Sequence, residues 1–233
     1  MLLAFETSAK AASVALFDGE VLLGESYQNT GLTHSQTLLT MAEDLMKNCG
    51  VSAEKLTSVA VAAGPGSFTG VRIGVAAAKG LAWGREIPCY GVSTLQAMAL
   101  GLGVQNGYIL CAMDARRNQV YTALFSAKNG ELTRLIPDSA MAISDLQGKL
   151  AEITAPIYTV GDGSLLCYEK LKEAVPNLCP PVPHRMHQRA SGVGLAALLE
   201  ITAGNPGNGE TLTPNYLRLS QAERERQEKM KEV

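Results

Sequence analysis

Residues Ala62–Gly84 read AAGPGSFTGVRIGVAAAKGLAWG. The stretch begins as the end of an apolar strand (Ser58–Ala63), turns through Gly64-Pro65-Gly66 and runs into a helix that is apolar almost all round. Ser67 or Thr69 can cap the first free N–H groups of that helix. Only Arg72 and Lys79 are strongly polar, and on a helical wheel they share one narrow arc. Such a helix needs cover on nearly every side. Gly70 and Gly74 let another backbone come close, at a propensity cost of about 1 kcal/mol each against Ala. The sequence therefore places this helix at the centre of a domain, or half in a core and half in a subunit interface.

The glycine-rich turn matches no nucleotide or nucleophile motif. Counting from Gly64, a P-loop requires glycine at position 69 followed by lysine, and the chain has Thr69 and Gly70. A dinucleotide turn fails at the same threonine. Around Ser67 a nucleophile elbow would need glycines where Pro65 and Thr69 stand. What is left is a tight strand-to-helix turn, or weak anion binding at the helix N-terminus.

The chain has 233 residues, 46% of them hydrophobic, enough for one domain or two small lobes with a sizeable core. Its formal net charge is −2, and no basic block interleaved with aromatics occurs. The chain alone is thus expected to be a poor nucleic-acid binder. The five cysteines are scattered, with no C-x-x-C pair. That pattern suits reduced thiols in a cytoplasm rather than a disulfide framework or zinc site. No signal segment or bilayer-spanning run is evident, so a soluble, cytoplasmic protein is expected.

Taken in order, Leu2–Thr7, Ser13–Phe17 and Val21–Tyr27 read as strands, with a hairpin signal at Asp18-Gly19. Thr33–Cys49 reads as a helix whose apolar arc (Leu38, Leu39, Met41, Ala42, Leu45, Met46, Cys49) is wider than a usual core stripe. Strand Ser58–Ala63, the central helix, strand Ile87–Val92 and a short helix Thr94–Leu100 follow. After the break at Gly101-Leu102-Gly103 the pattern restarts. Tyr108–Met113, Gln119–Ser126 and Glu131–Ile136 are strands, with Asn129-Gly130 as a hairpin turn. Ser144–Glu152 is a helix, Ile157–Val160 a strand and Ser164–Val175 a helix. Both halves run three meandering strands, helix, strand, helix, and Ala4-Phe5-Glu6 stands where Ala112-Met113-Asp114 stands. This order implies an internal duplication and a two-lobe α/β architecture with a cleft between the lobes. The lobes are placed at 1–102 and 103–219, with a charged tail at 220–233 expected to be solvated. A proline-rich loop, a helix Ser191–Thr202, a Gly/Asn/Pro linker and a short edge strand Pro214–Leu219 complete the second part.

Glu6 and Asp114 are the best candidates for chemistry. At the ends of equivalent strands, facing one cleft, two carboxylates could hold hydrated Mg²⁺ and a nucleotide such as ATP or ADP. The loops Thr7–Ala12 and Ala115–Asn118 lack the glycine that phosphate loops use, so the acids could equally cap turns. His184 and His187 could pair on a metal only within a helix, which Pro180, Pro181 and Pro183 oppose. His34 stands alone at a helix start. No intrinsic metal or cofactor site is therefore expected. Arg116 and Arg117, in DARRNQVY at Asp114–Tyr121, could bind an anion or a partner carboxylate, or form a solvated hairpin loop.

Several motifs together carry a resemblance: AFETS at Ala4–Ser8, HSQTLL at His34–Leu39, AAGPGSFTGVRIGVAAAKGLA at Ala62–Ala82, GVSTLQA at Gly91–Ala97, DARRNQVY at Asp114–Tyr121 and PNYLR at Pro214–Arg218. They resemble the bacterial TsaB family, from the first strand nearly to the tail. That resemblance implies the duplicated fold of the actin, sugar kinase and Hsp70 ATPase (ASKHA) superfamily. It also implies a non-catalytic subunit of the complex that places threonylcarbamoyl on the adenosine beside the anticodon of tRNA. In that complex the catalytic paralogue TsaD performs the transfer, the ATPase TsaE joins, and tRNA is met only through the assembly. TsaD binds its metal in part through an H-x-E-G-H motif; the matching stretch here, Gly91–Ala97, has no histidine or carboxylate. The resemblance further implies pairing with TsaD, or with a second copy, through the first two helices. Of their residues, Leu38, Met41, Leu45, Gly70, Gly74, Ala77 and Leu81 are expected to line that interface. The competing reading is an enzyme acting alone, as an ATP-using kinase-like protein or a peptidase.

Overall fold

A computed structural model describes residues 1–218. The tail expected at 220–233, like Leu219, lies outside the described residues. The strands are β1 (Leu2–Glu6), β2 (Ala12–Asp18), β3 (Val21–Gln28), β4 (Ser58–Gly64), β5 (Cys89–Ser93), β6 (Asn106–Asp114), β7 (Gln119–Lys128), β8 (Glu131–Ala142), β9 (Ile157–Val160) and β10 (Leu178–Cys179). The α-helices are α1 (His34–Asn48), α2 (Phe68–Arg85), α3 (Thr94–Leu102), α4 (Ile143–Leu150), α5 (Ser164–Leu171) and α6 (Ala190–Thr202).

Two five-stranded mixed sheets form, ordered β3-β2-β1-β4-β5 and β10-β9-β6-β7-β8. Read from its other edge, the second order is that of the first, as a duplication requires. In each sheet the meander is antiparallel and the later strands add in parallel after a helix. The last helix of the second half does not stay with its own sheet. α6 packs on β1, β2, β4 and β5 of the first sheet, while α3 touches the second sheet as well as its own. The two helices pack against each other between the sheets. One cut at residue 102 therefore does not separate the lobes: the segment from Ala190 onward belongs with the first sheet.

Strand alternation sorts the core into layers. Leu3 and Phe5 of β1, with Val14 and Leu16 of β2, face α1 and α2. Leu2, Ala4, Ala15 and Phe17 face α6. Leu110 and Ala112 of β6 face α4 and α5, while Ile109, Cys111 and Met113 face α3. The order is thus α1/α2, first sheet, α6/α3, second sheet, α4/α5. Small residues let the middle helices approach. A Cβ on Gly192 of α6 would overlap the Ala97 carbonyl of α3, and one on Gly194 would strike the Phe17 ring. Each fully buried Phe or Leu side chain of these layers contributes about 1.5–3 kcal/mol.

Several expected elements change length. β8 continues to Ala142, six residues past Ile136, and α5 stops at Leu171 rather than Val175. The two-residue β10 lies inside the proline-rich loop. Pro214–Leu219 is not an edge strand over its described residues. The segment meets β4 through one backbone bond, Asn215 N–H to the Ala63 carbonyl (2.6 Å), and leaves the sheet. A Cβ on Gly64 would collide with the Asn215 carbonyl, so the crossing requires glycine there.

Candidate partner interface and interlobe cleft

α2 begins where the sequence places it. Ser67 is the N-cap and its Oγ accepts the Gly70 N–H at 3.2 Å. Its inner side lies on the turn after β1. Thr7 Oγ1 donates to the Gly70 carbonyl (2.8 Å), and the Ser67 N–H donates to the Ser8 carbonyl (2.6 Å). A Cβ on Gly70 would overlap the Thr7 carbonyl, and one on Gly74 would overlap Thr7 Oγ1 and press on Val61. Gly70 and Gly74 do admit a close backbone approach, but the backbone belongs to the chain's own first strand.

Five of the seven expected interface residues are turned inward within the chain. Leu38, Met41 and Leu45 of α1 are buried against the first sheet, where they fill the space between β2, β3 and the helix pair. Gly70 and Gly74 are likewise turned inward. Ala77 and Leu81 sit half-buried at the margin of the same core. A helical wheel fixes which residues share an arc but not which way the arc points. The wide apolar arc of α1 is accounted for by its seat across sheet and neighbouring helix, with Leu39 left outside at 60% exposure.

One flank of α2 is covered by the returning C-terminal segment. Lys79 Nζ donates to the carbonyls of Glu210 (3.3 Å) and Leu212 (3.0 Å). Tyr216 stacks on Phe68 at 4.0 Å between centroids, and Arg72 lies over the Phe68 ring while its Nε donates to Tyr216 Oη (2.7 Å). The two polar residues of the helix thus serve this strap. The remaining face is open: Ala76, Gly80, Trp83 and Gly84 are exposed, with Ile73 and Ala77 half-buried beside them. Among the described residues, a Cβ added at Gly80 or Gly84 meets nothing within 4 Å. These positions recur at the three- and four-residue intervals of one helical stripe. Trp83, 85% exposed, closes its end.

Glu6 and Asp114 do end their strands, but they do not face one cleft together. Glu6 continues the side of β1 that faces α6. Asp114 continues the side of β6 that faces α5, and it is exposed. The alignment by matching triplets is one residue out of register, and in a strand one residue changes the face. Glu6 is 1% exposed; its Oε1 accepts the Ser8 N–H at 2.5 Å and its Oε2 has no partner among the described residues. Burial pushes its carboxyl up to about 7, with hydrogen bonding from Ser8 pulling the other way and the Asp162 charge adding to the rise. Asp162 is the residue that sequence reasoning missed. Burial raises its pKa, Gln188 Nε2 donates to it at 3.1 Å and opposes that rise, and the nearby Asp114 charge adds to it. It lies in Gly161-Asp162-Gly163 between β9 and α5, the counterpart of Gly64-Pro65-Gly66 between β4 and α2. That repeat of the turn was the available signal.

Of the histidines only His187 stands near these carboxylates, where its charge opposes the rise at Asp162. His34 Nε2 bonds the Ala9 carbonyl (2.8 Å), and His184 stands in a 3-10 turn, Pro183–Arg185. Among the described residues no three His, Cys, Asp or Glu side chains gather as a metal site, and no helix is long and apolar enough to cross a membrane.

Comparison with known proteins places this architecture. Residues 28–225 match the family model described as TsaD: tRNA N6-adenosine threonylcarbamoyltransferase. The tRNA threonylcarbamoyladenosine biosynthesis protein TsaB of Bacillus subtilis is 32% identical over 223 residues, covering 95% of this chain and 96% of that one. The solved structure of YeaZ from Pseudomonas aeruginosa superposes with a TM-score of 0.76 at 26% identity, covering 93% of this chain and 99% of that one. At 13% identity the ethanolamine utilization protein EutJ from Carboxydothermus hydrogenoformans, TM-score 0.51, covering 83% of this chain and 89% of that one, shares the fold alone. The duplicated sheets are those of the ASKHA architecture, and the chain belongs to the TsaB family of tRNA threonylcarbamoyladenosine biosynthesis proteins.

Proposed function

We propose that this chain is a non-catalytic scaffold subunit of a threonylcarbamoyl-transfer complex in the cytoplasm. It pairs with a TsaD-like catalytic subunit through the outer faces of α1 and α2, and helps dock a TsaE-like ATPase. Alone, it pairs with a second copy through the same face. The observation that supports this most is the open stripe of α2: Ile73, Ala76, Ala77, Gly80, Trp83 and Gly84. Small residues spaced along one face allow a second helix to pack with an interaxial distance near the short end of the usual range, about 8 Å. A large apolar anchor at the end of such a stripe is typical of an interface core.

No intrinsic cofactor is assigned. A weakly bound ATP or ADP with Mg²⁺ would have to reach Glu6 and Asp114. Those residues do not fit it as they stand: the Glu6 carboxyl is closed off, the two acids lie on different sides of their sheets, and the Ser8 and Ala9 carbonyls of the turn are bonded to Ser67 and His34.

The test is a size-resolved mixing experiment with the TsaD-like subunit of the same organism, using the wild type and Gly80→Leu. A Cβ at Gly80 meets no described residue within 4 Å, so the variant is expected to fold and to lose both the mixed peak and its own dimer. Threonylcarbamoyl transfer to tRNA is expected only from the mixture with the ATPase present. Undiminished pairing by folded Gly80→Leu would move the interface elsewhere, and transfer by the isolated chain would end the scaffold reading.

A further inference from the structure

The tip of the β6–β7 hairpin holds three consecutive non-glycine residues in the left-handed region: Arg116 (φ 64°), Arg117 (φ 55°) and Asn118 (φ 58°). Asparagine tolerates this conformation; arginine does so only when its surroundings impose it. Here they do. Asp114 Oδ1 accepts the Arg116 N–H (2.7 Å), and Gln119 N–H donates back to the Arg116 carbonyl (3.1 Å). Ile143 N–H donates to the Asn118 carbonyl (3.1 Å), and Arg218 Nη1 donates to the Ala115 carbonyl (2.7 Å). The backbone is pinned from several sides, and the Arg116 and Arg117 side chains project from it exposed. Neither makes a side-chain hydrogen bond or ion pair among the described residues.

Other cations adjoin the tip. Lys170 of α5 donates to Asn118 Oδ1 (2.9 Å). Arg218 reaches Ala115 from the strap, and two residues before it Tyr216 holds Arg72. The sequence Arg72, Arg218, Arg116 and Arg117, Lys170 therefore forms a basic rim running from the start of α2 across the hairpin to α5. Of the acids beside it, Glu169 pairs with Lys172, while Asp114 accepts the Arg116 N–H and keeps one negative charge against the five cations. A net charge of −2 averages over this rim and hides it.

We propose that this rim binds the phosphodiester backbone of RNA, with Arg116 and Arg117 as its principal contacts. Cations strung along a line match a polyanion with regularly spaced phosphates. Residues 114–118 carry no apolar side chain larger than Ala115, so the hairpin tip, unlike the Arg72 end with its stacked Phe68 and Tyr216, lacks the apolar centre that a protein docking site would have. The relatives at hand are named for tRNA modification. The rim is independent of the α2 stripe and stands whether or not that stripe is an interface.

The experiment titrates a fluorescein-labelled, unmodified tRNA transcript with the isolated chain between roughly 50 and 200 mM salt, following anisotropy. The variants are Arg116→Glu/Arg117→Glu and Arg116→Lys/Arg117→Lys, each checked for an unchanged melting temperature. The wild type is expected to bind at the low-salt end. The Glu pair should weaken binding at least 10-fold and reduce the slope of log affinity against log salt by about 1.5–2. The Lys pair should stay within about 3-fold of the wild type, since phosphate neutralisation needs charge rather than a guanidinium fork. Absence of wild-type binding at the low-salt end, an unchanged slope in the Glu pair, or equal loss in the Lys pair would overturn the proposal. So would loss of pairing with the TsaD-like subunit while the tRNA titration is unaffected, which would assign the arginines to a protein contact.

Discussion

The two faces of α2 are built from the same small residues and do opposite things. The inner face uses Gly70 and Gly74 to sit on the Thr7–Ser8 turn so closely that no side chain fits. The outer face uses Ala76, Gly80 and Gly84 to stay open, with nothing among the described residues within reach of a Cβ at either glycine. A glycine in a helix weakens it wherever it stands. Only its surroundings show whether that cost is offset by close packing within the chain or is left for a partner to offset.

The largest effect should come from filling the inner face. Gly74→Leu would drive its side chain into Thr7 and Val61 and disrupt the Thr7–Gly70 hydrogen bond. Overpacking and the lost bond together should cost about 4 kcal/mol. Urea unfolding measures it; a loss below about 1 kcal/mol would mean that the turn after β1 yields freely and that the inner face is no more constrained than the outer.

The next effect concerns the base of that turn. Glu6 titrates near 7 in the folded chain and near its ordinary 4.5 when unfolded. Between these values the folded protein keeps a proton that the unfolded chain has released. The stability linked to Glu6 is thus fully present below pH 4.5 and is lost as pH rises through 7. The difference amounts to about 3 kcal/mol. Glu6→Gln keeps the shape and the acceptor for the Ser8 N–H without the titration. Relative to it, the wild type should lose about 3 kcal/mol between pH 4.5 and pH 8. Asp162 drifts in the same direction in both proteins. Parallel stability curves for the pair would show that water reaches Glu6 and that the turn beneath α2 is open.

The sequence made the repeat legible because strand alternation, hairpin turns and helix caps are local. Ser67 as N-cap, the Asn129-Gly130 turn and the order of both halves could be read from neighbours in the chain. The exchange of α3 and α6 between sheets could not, since it depends on which apolar helix face meets which sheet. The direction of the α1 and α2 arcs was hidden for the same reason: Leu38 and Leu39 are adjacent, yet one is buried and the other exposed. The pairing of Glu6 with Asp114 failed by one residue, because a matching triplet does not fix register within a sheet. Arg72 and Lys79 share one narrow arc of the central helix, and that arc anchors a strap more than 130 residues away. No local pattern carries that information.

The smallest effect has the opposite sign. At Gly80 the backbone is ordinary helix and a methyl group meets nothing, so Gly80→Ala should stabilise the isolated chain by about 0.5–1 kcal/mol through helix propensity and a less disordered unfolded state. Under the proposed pairing, the same methyl group would stand between two helix axes. Thermal unfolding at low and at high protein concentration separates the two contributions. A gain at low concentration that shrinks or reverses at high concentration indicates that the open face of α2 is where a second copy packs. A gain that is the same at both leaves Gly80 as a surface glycine with no role in association, and the search for the contact moves along the stripe to Ile73 and Trp83.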